Sequence, residues 1–193
     1  MAVRLGFGRA LNLADTLSTA AGQLPEAETL TSSGAFANFC FGQGELLATP
    51  IQIAAMMNTI AGGGIWREPL FLECTLDETT GEPLTALAHR SARRVFSAQT
   101  ARALRELLAS VVTEGTGHEA APTEGTAAGK TGTAQTGQFA AGKELKNYWF
   151  AGFYPARNPR YTIVVLQDGQ TGPSRTSAAI FARVCDALDA AGE

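Results

Sequence analysis

The run from Thr49 to Gly64 restricts the fold more than any other part of the chain. Thr49 reads as an N-cap, and Pro50 stands at the first helical position, where its missing N–H costs nothing. Ile53, Met56, Met57 and Ile60 share one helical face, while Ile51, Ala54 and Ala55 cover another. A helix that is apolar nearly all round belongs inside a protein, with other elements on several sides. Gly62, Gly63 and Gly64 end it. The chain has 193 residues, 45% hydrophobic and 17% charged, which is enough to build those surroundings within one domain.

The remaining pattern supplies them. Residues 1–48 are rich in Gly, Ser, Thr and Ala and read mostly as loop with short helical pieces. Leu70–Leu76 reads as a strand leading into turn residues Asp77–Gly81. After Ser97, residues Leu104, Leu107, Leu108, Val111 and Val112 form a helical stripe that ends near Gly115. Three strands are predicted next, at Ala127–Gln135, Tyr148–Tyr154 and Tyr161–Gln167. The turn-length link Pro155–Arg160 makes the second and third antiparallel. A last helix starts near Ser177, with Ile180, Phe181, Val184, Cys185 and Leu188 on one face. Strands grouped together with helices before and after predict an α+β fold, an antiparallel sheet flanked by helices.

Composition excludes several functions. The net charge is −3 and no Lys/Arg run occurs, so nothing marks a nucleic-acid partner. Cys40, Cys74 and Cys185 match no metal or redox spacing and read as small buried or half-buried hydrophobes. His89 and His118 have no ligand partner at a sensible spacing and read as solvated, so neither a metal nor a cofactor is expected. No segment approaches the roughly 20 apolar residues that span a bilayer, and Met1–Ala21 has no signal-peptide core. Trp66 and Trp149 read as core or domain-edge aromatics. Asp168 and Glu45 have no partner that marks a general base.

The densest chemical signal is Gly129-Lys130-Thr131-Gly132-Thr133-Ala134-Gln135. A phosphate loop would need Gly where Glu124 stands and a helix directly after the lysine; Gly132 and the run Thr133–Gly137 disfavour that helix. A strand edge fits better. Lys130 supplies a positive charge for a carboxylate, and Thr131 and Thr133 place hydroxyls on one strand face. Gly132 allows close approach of a ligand or backbone. The Thr133 N–H is placed to polarise a carbonyl as an oxyanion-hole donor does.

With its surroundings, this segment resembles the class B penicillin-binding proteins, the cell-wall transpeptidases. The resemblance runs in order through Leu5-Gly6-Phe7-Gly8, Gly22-Gln23-Leu24-Pro25, Gly42-Gln43-Gly44, Ala48-Thr49-Pro50-Ile51-Gln52, Ala61-Gly62-Gly63-Gly64, Gly115-Thr116-Gly117, Gly129–Gln135 and Trp149-Phe150-Ala151-Gly152-Phe153. It implies the C-terminal portion of a transpeptidase domain over residues 1–193, part of the serine β-lactamase/transpeptidase-like fold. It also implies an acyl-enzyme reaction on D-Ala-D-Ala stem peptides of peptidoglycan, and acylation by β-lactams. Lys130, Thr131, Gly132 and Thr133 would then belong to the catalytic site. Lys130, Thr131 and Thr133 would bind substrate, with Gln43 lining the site or fixing the loop before the Pro50 helix.

The departure from the family is as specific. No serine stands three residues before any lysine, and none stands two before an asparagine, so Ser-x-x-Lys and Ser-x-Asn are both absent from the sequence. The expected partner is therefore an N-terminal part of the same protein that carries them, and the chain by itself is expected to be inactive. A non-catalytic D-Ala-D-Ala-binding module, a serine β-lactamase and a penicillin sensor are the alternative readings. Family members are anchored in the inner membrane and work outside it. A fragment is further expected to expose apolar surface along the Pro50–Ala61 helix and one sheet face, and the link 136–147 to form a loop between strands.

Overall fold

The structure is a computed structural model that describes residues 1–14, 17–72, 74–86, 92–171 and 175–192. The Thr49–Gly64 run forms helix α2, Pro50–Ala61; an eight-residue helix α1, Ser33–Cys40, precedes it. The cap of α2 is reciprocal. Thr49 Oγ1 accepts from the Gln52 N–H at 3.3 Å, and Gln52 Oε1 accepts from the Thr49 N–H at 2.9 Å. Gln52 is fully buried. Its Nε2 also faces the carbonyls of Gly6, Arg9 and Ala21 at 3.1, 3.0 and 2.9 Å. One side chain thus satisfies the helix start and ties it to the N-terminal segment.

The central sheet has three antiparallel strands in the order β7-β8-β9: Ala128–Ala140, Lys143–Tyr154 and Tyr161–Gln170. The two short strands β1, Asn12–Ala14, and β2, Leu17–Ser18, form a separate pair. So do β3, Ile65–Trp66, with β6, Arg93–Arg94, and β4, Cys74–Leu76, with β5, Pro83–Ala86. Side-chain alternation divides the core. Phe150 and Tyr154 of β8 pack with Ala178, Phe181 and Cys185 of the C-terminal helix α4, Arg175–Ala190. Ala151 and Phe153 point the other way, onto Met57 and Ile60 of α2. Helix α3, Ala98–Thr113, supplies Val112 to the first cluster and Leu104 and Leu108 to the second. The result is helix, sheet, helix, which bears out the α+β expectation. Among the described residues β7 and β9 are the sheet edges.

A third cluster joins Leu5, Phe7, Leu11 and Leu13 to Ala55, Trp66 and Val95. Trp66 is a core residue, its Nε1 donating to the Leu5 carbonyl at 2.9 Å and its ring lying 3.9 Å from the Arg93 guanidinium. Trp149 is half-buried opposite Gly132. At the far end, Tyr154 Oη donates to Asp189 at 2.6 Å, and that bond, with burial, pushes the phenol up to about 12. Burial, then the nearby carboxylates of Asp186 and Asp189, pushes the Cys185 thiol up to about 12 as well.

Four expectations need correction. Leu70–Leu72 is not a strand: the Phe71 N–H is taken by the Leu13 carbonyl, and the hairpin strand among the described residues is Cys74–Leu76. The link 136–147 is not a loop. β7 and β8 continue through it as a ladder closed by Ala141 and Gly142, both with positive φ. Thr136 Oγ1 donates to the Leu145 carbonyl at 2.6 Å, and Gln135 Nε2 donates to Glu144 at 3.0 Å. Nor does α2 carry the exposed apolar surface, since its residues are buried or half-buried except Pro50 and Asn58. Exposed large hydrophobics instead include Phe36 and Phe41 around α1 and Phe71, Leu76 and Leu84 around the β4-β5 hairpin. Cys40 is exposed rather than buried, and His89 lies outside the described residues.

Two outcomes follow from this packing. Gln52→Leu keeps the volume but strands the buried carbonyls of Gly6, Arg9 and Ala21. It should lower unfolding stability by at least about 3 kcal/mol in a denaturant titration. A thiol reagent at pH 8 should modify Cys40 within minutes. It should leave Cys185 untouched until the chain unfolds, because a thiol at about 12 exposes only about one thiolate in ten thousand at that pH.

Candidate functional site

The site is built on the outer edge of β7. A residue in an antiparallel strand turns its N–H and C=O to the same side, and the side alternates along the chain. The Thr131 carbonyl accepts from Lys130 Nζ at 3.1 Å, and the Thr133 carbonyl accepts from Gln43 Nε2 at 2.8 Å. Both carbonyls therefore face away from β8, and the N–H groups of Thr131 and Thr133 share that open edge. Gly132, between them, pairs with Trp149 of β8.

Side chains follow the same alternation. Thr131 pairs with Phe150 and Thr133 with Tyr148, which puts both threonines on the α4 face of the sheet. Lys130 pairs with Ala151 on the α2 face. Its ammonium nonetheless curls over the strand edge to Thr131 Oγ1 at 3.2 Å. Thr131 Oγ1 lies 3.4 Å from Thr116 Oγ1. An ammonium and two hydroxyls thus converge beside an edge with free backbone donors, which is a constellation suited to a carboxylate.

This convergence lines an open depression of about 680 Å³, bounded by Glu114, Gly115, Thr116, His118, Glu119, Lys130, Thr131 and Ala178. Thr116 was not singled out from the sequence as a site residue. The available signal was its place between Gly115 and Gly117, where a short turn brings it back to the strand. Gly117 is buried, and a side chain there would press on Val111 and Phe150. His118 is exposed, as expected.

Gln43 reaches the motif from 90 residues away in sequence. Its loop is shaped by Gly42 and Gly44, both at φ +80°, a conformation that other L-residues adopt only with strain. Neither glycine is short of space: a Cβ at Gly42 would meet nothing within 4 Å, and one at Gly44 only Asn38 at 3.9 Å. Backbone direction is what requires them. The structure therefore brings Lys130, Thr131, Gly132, Thr133 and Gln43 together along one edge. No group of three or more His, Cys, Asp or Glu side chains among the described residues can hold a metal ion.

Residues 1–186 match the family described as the penicillin binding protein transpeptidase domain. The chain belongs to that family. Penicillin-binding protein PbpB of Mycolicibacterium smegmatis is 33% identical, over 96% of this chain and 30% of the relative. The peptidoglycan D,D-transpeptidase FtsI of Escherichia coli is 31% identical, over 94% of this chain and 29% of the relative. The crystal structure of penicillin-binding protein 3 from Mycobacterium tuberculosis in its apo form superposes with a TM-score of 0.84 at 30% identity. That match covers 99% of this chain and 45% of the other. The same relative in complex with ampicillin gives a TM-score of 0.81 at 31% identity. The chain thus spans less than a third of the length of these curated relatives and under half of the solved structure. Relatives and fold together place it among the class B penicillin-binding proteins.

Two glycines in the motif carry different constraints. A Cβ on Gly129 would sit 2.5 Å from the Phe150 ring and 2.8 Å from the Ala151 carbonyl, whereas one on Gly132 would reach Trp149 at an ordinary 3.4 Å. Gly129→Ala should destabilise the chain by about 2–4 kcal/mol. Gly132→Ala should stay within about 1 kcal/mol, and thermal unfolding of the two variants side by side checks the difference.

Proposed function

We propose that this chain carries the carboxylate-recognising strand of a peptidoglycan D,D-transpeptidase site. The observation that supports the reading best is the meeting of the Lys130 ammonium, the Thr131 hydroxyl and the outward Thr133 backbone on one sheet edge. The terminal carboxylate of a D-Ala-D-Ala peptide would be held by Lys130, Thr131 and Thr133 through charge-assisted hydrogen bonds. Gly132 leaves the edge unobstructed. The Thr133 N–H would stabilise the oxyanion that forms when a serine attacks the penultimate carbonyl, and D-alanine would then leave an acyl-enzyme. Gln43 would line the same edge.

The sequence holds no Ser-x-x-Lys and no Ser-x-Asn. In this proposal those groups come from another portion of the transpeptidase. None of the described helices is long and apolar enough to cross a membrane. Anchoring in the inner membrane, with this domain outside it, would be supplied by the same other portion. β-Lactams, which mimic the dipeptide, would be recognised by the same edge.

The test separates recognition from chemistry. A diacetylated L-Lys-D-Ala-D-Ala tripeptide should bind the chain weakly and reversibly by saturation-transfer NMR. Binding should weaken with added salt and fall at least tenfold in Lys130→Ala. Benzylpenicillin should leave the intact mass unchanged. Equal binding by wild type and Lys130→Ala would remove Lys130 from the recognition site, and a stoichiometric penicillin adduct would mean that a nucleophile is present after all.

A further inference from the structure

We infer that Gln43 is a displaceable latch on the substrate edge of β7. The inference rests on the reading above, that an extended acyl-D-Ala-D-Ala chain lies along this edge. Such a chain binds by adding itself as a strand, exchanging backbone N–H and C=O groups with those that face outward. Along the motif the outward carbonyls belong to Thr131 and Thr133. The Lys130 ammonium takes the first and the Gln43 carboxamide takes the second, at 2.8 Å.

A carboxamide N–H is chemically the same donor as a peptide N–H. Gln43 therefore holds the position that the backbone N–H of an incoming acyl-peptide would take. The latch keeps the edge strand from offering an unpaired acceptor when no ligand is present. It also imposes a threshold. A ligand that brings its own amide donor can replace the bond it breaks, whereas one lacking that donor leaves either Gln43 or Thr133 unpaired.

The latch is deliberately aimed. Gly42 and Gly44, both at φ +80°, turn the backbone sharply on either side of Gln43. The Gln43 N–H is fixed to the Asn38 carbonyl at 2.9 Å, at the end of α1. Only the side chain is left to reach the strand, and it can swing away without unfolding the loop.

The sign of one substitution decides the matter. The diacetylated L-Lys-D-Ala-D-Ala tripeptide is titrated into the ¹⁵N-labelled 193-residue chain, as wild type and as Gln43→Ala, with amide dispersion confirming that both are folded. The expected result is tighter binding by Gln43→Ala, roughly two- to tenfold. The shifts should centre on Lys130–Thr133, and the Gln43 side-chain NH₂ signal of the wild type should move to a solvent-exposed value at saturation. Binding seen only in Gln43→Ala supports the latch equally. Unchanged or weaker binding by the variant, with wild-type shifts still centred on Lys130–Thr133, overturns the latch and leaves the transpeptidase reading standing. An absence of binding in both proteins overturns the latch together with that reading.

Discussion

Everything on the N-terminal side of the domain depends on how a single carboxamide at Gln52 is buried. A polar group without solvent must find partners inside, and Gln52 finds them in the helix cap and in three backbone carbonyls, two from the Gly6–Arg9 turn and one from Ala21. Both segments would otherwise carry unpaired acceptors against the apolar face of α2. The bond to Ala21 fixes the segment that follows it, and Gln23 and Leu47 then exchange backbone hydrogen bonds at 2.8 and 3.0 Å. Leu47 ends the loop that begins with Gly42-Gln43-Gly44. Hydrogen bonds, and the short chain segments between them, thus link the start of α2 to the arm that touches β7.

The sheet is positioned by different means. Apolar alternation along β8 sends Phe150 toward α4 and its neighbour Ala151 toward α2, each into a cluster of apolar side chains. Gly129 and Gly152 face each other across β7 and β8, and a Cβ on either would collide with backbone or ring atoms. Close packing at that point presses the start of the motif strand against its neighbour. The strand stays paired with β8 through Gln135, and what turns over its edge is the Lys130 side chain, toward Thr131 Oγ1.

Much of this was legible in the residues themselves. The Thr49–Gly64 helix was bounded correctly because its cap, its proline and its glycines are local signals. The sheet was found because β-branched and aromatic residues alternate over short distances. The pairing of Ile65–Trp66 with Arg93–Arg94 was not legible, since it depends on Trp66 reaching the Leu5 carbonyl from 61 residues away. The extension of β7 and β8 past Gln135 was missed for a related reason. Glycines and small polar residues there suggest a loop, and cross-strand bonds from Thr136 and Gln135 override that tendency. Within the candidate site, Lys130, Thr131 and Thr133 stand out by type and spacing. Thr116 carried no more than the signal of its flanking glycines, and the contact of Gln43 could be found only by folding the chain, because it lies 90 residues from Thr133 in sequence.

Among the described residues strand β9 has a strand neighbour, β8, on one side alone. Its ten residues, Tyr161–Gln170, contain no lysine or proline, and most are only half-buried. Soluble proteins ordinarily blunt such an edge with charge, a bulge or a covering element. Left bare, it is a template on which a second strand of any origin can register, so the company this edge keeps decides whether the chain stays a single molecule in concentrated solution or begins to stack.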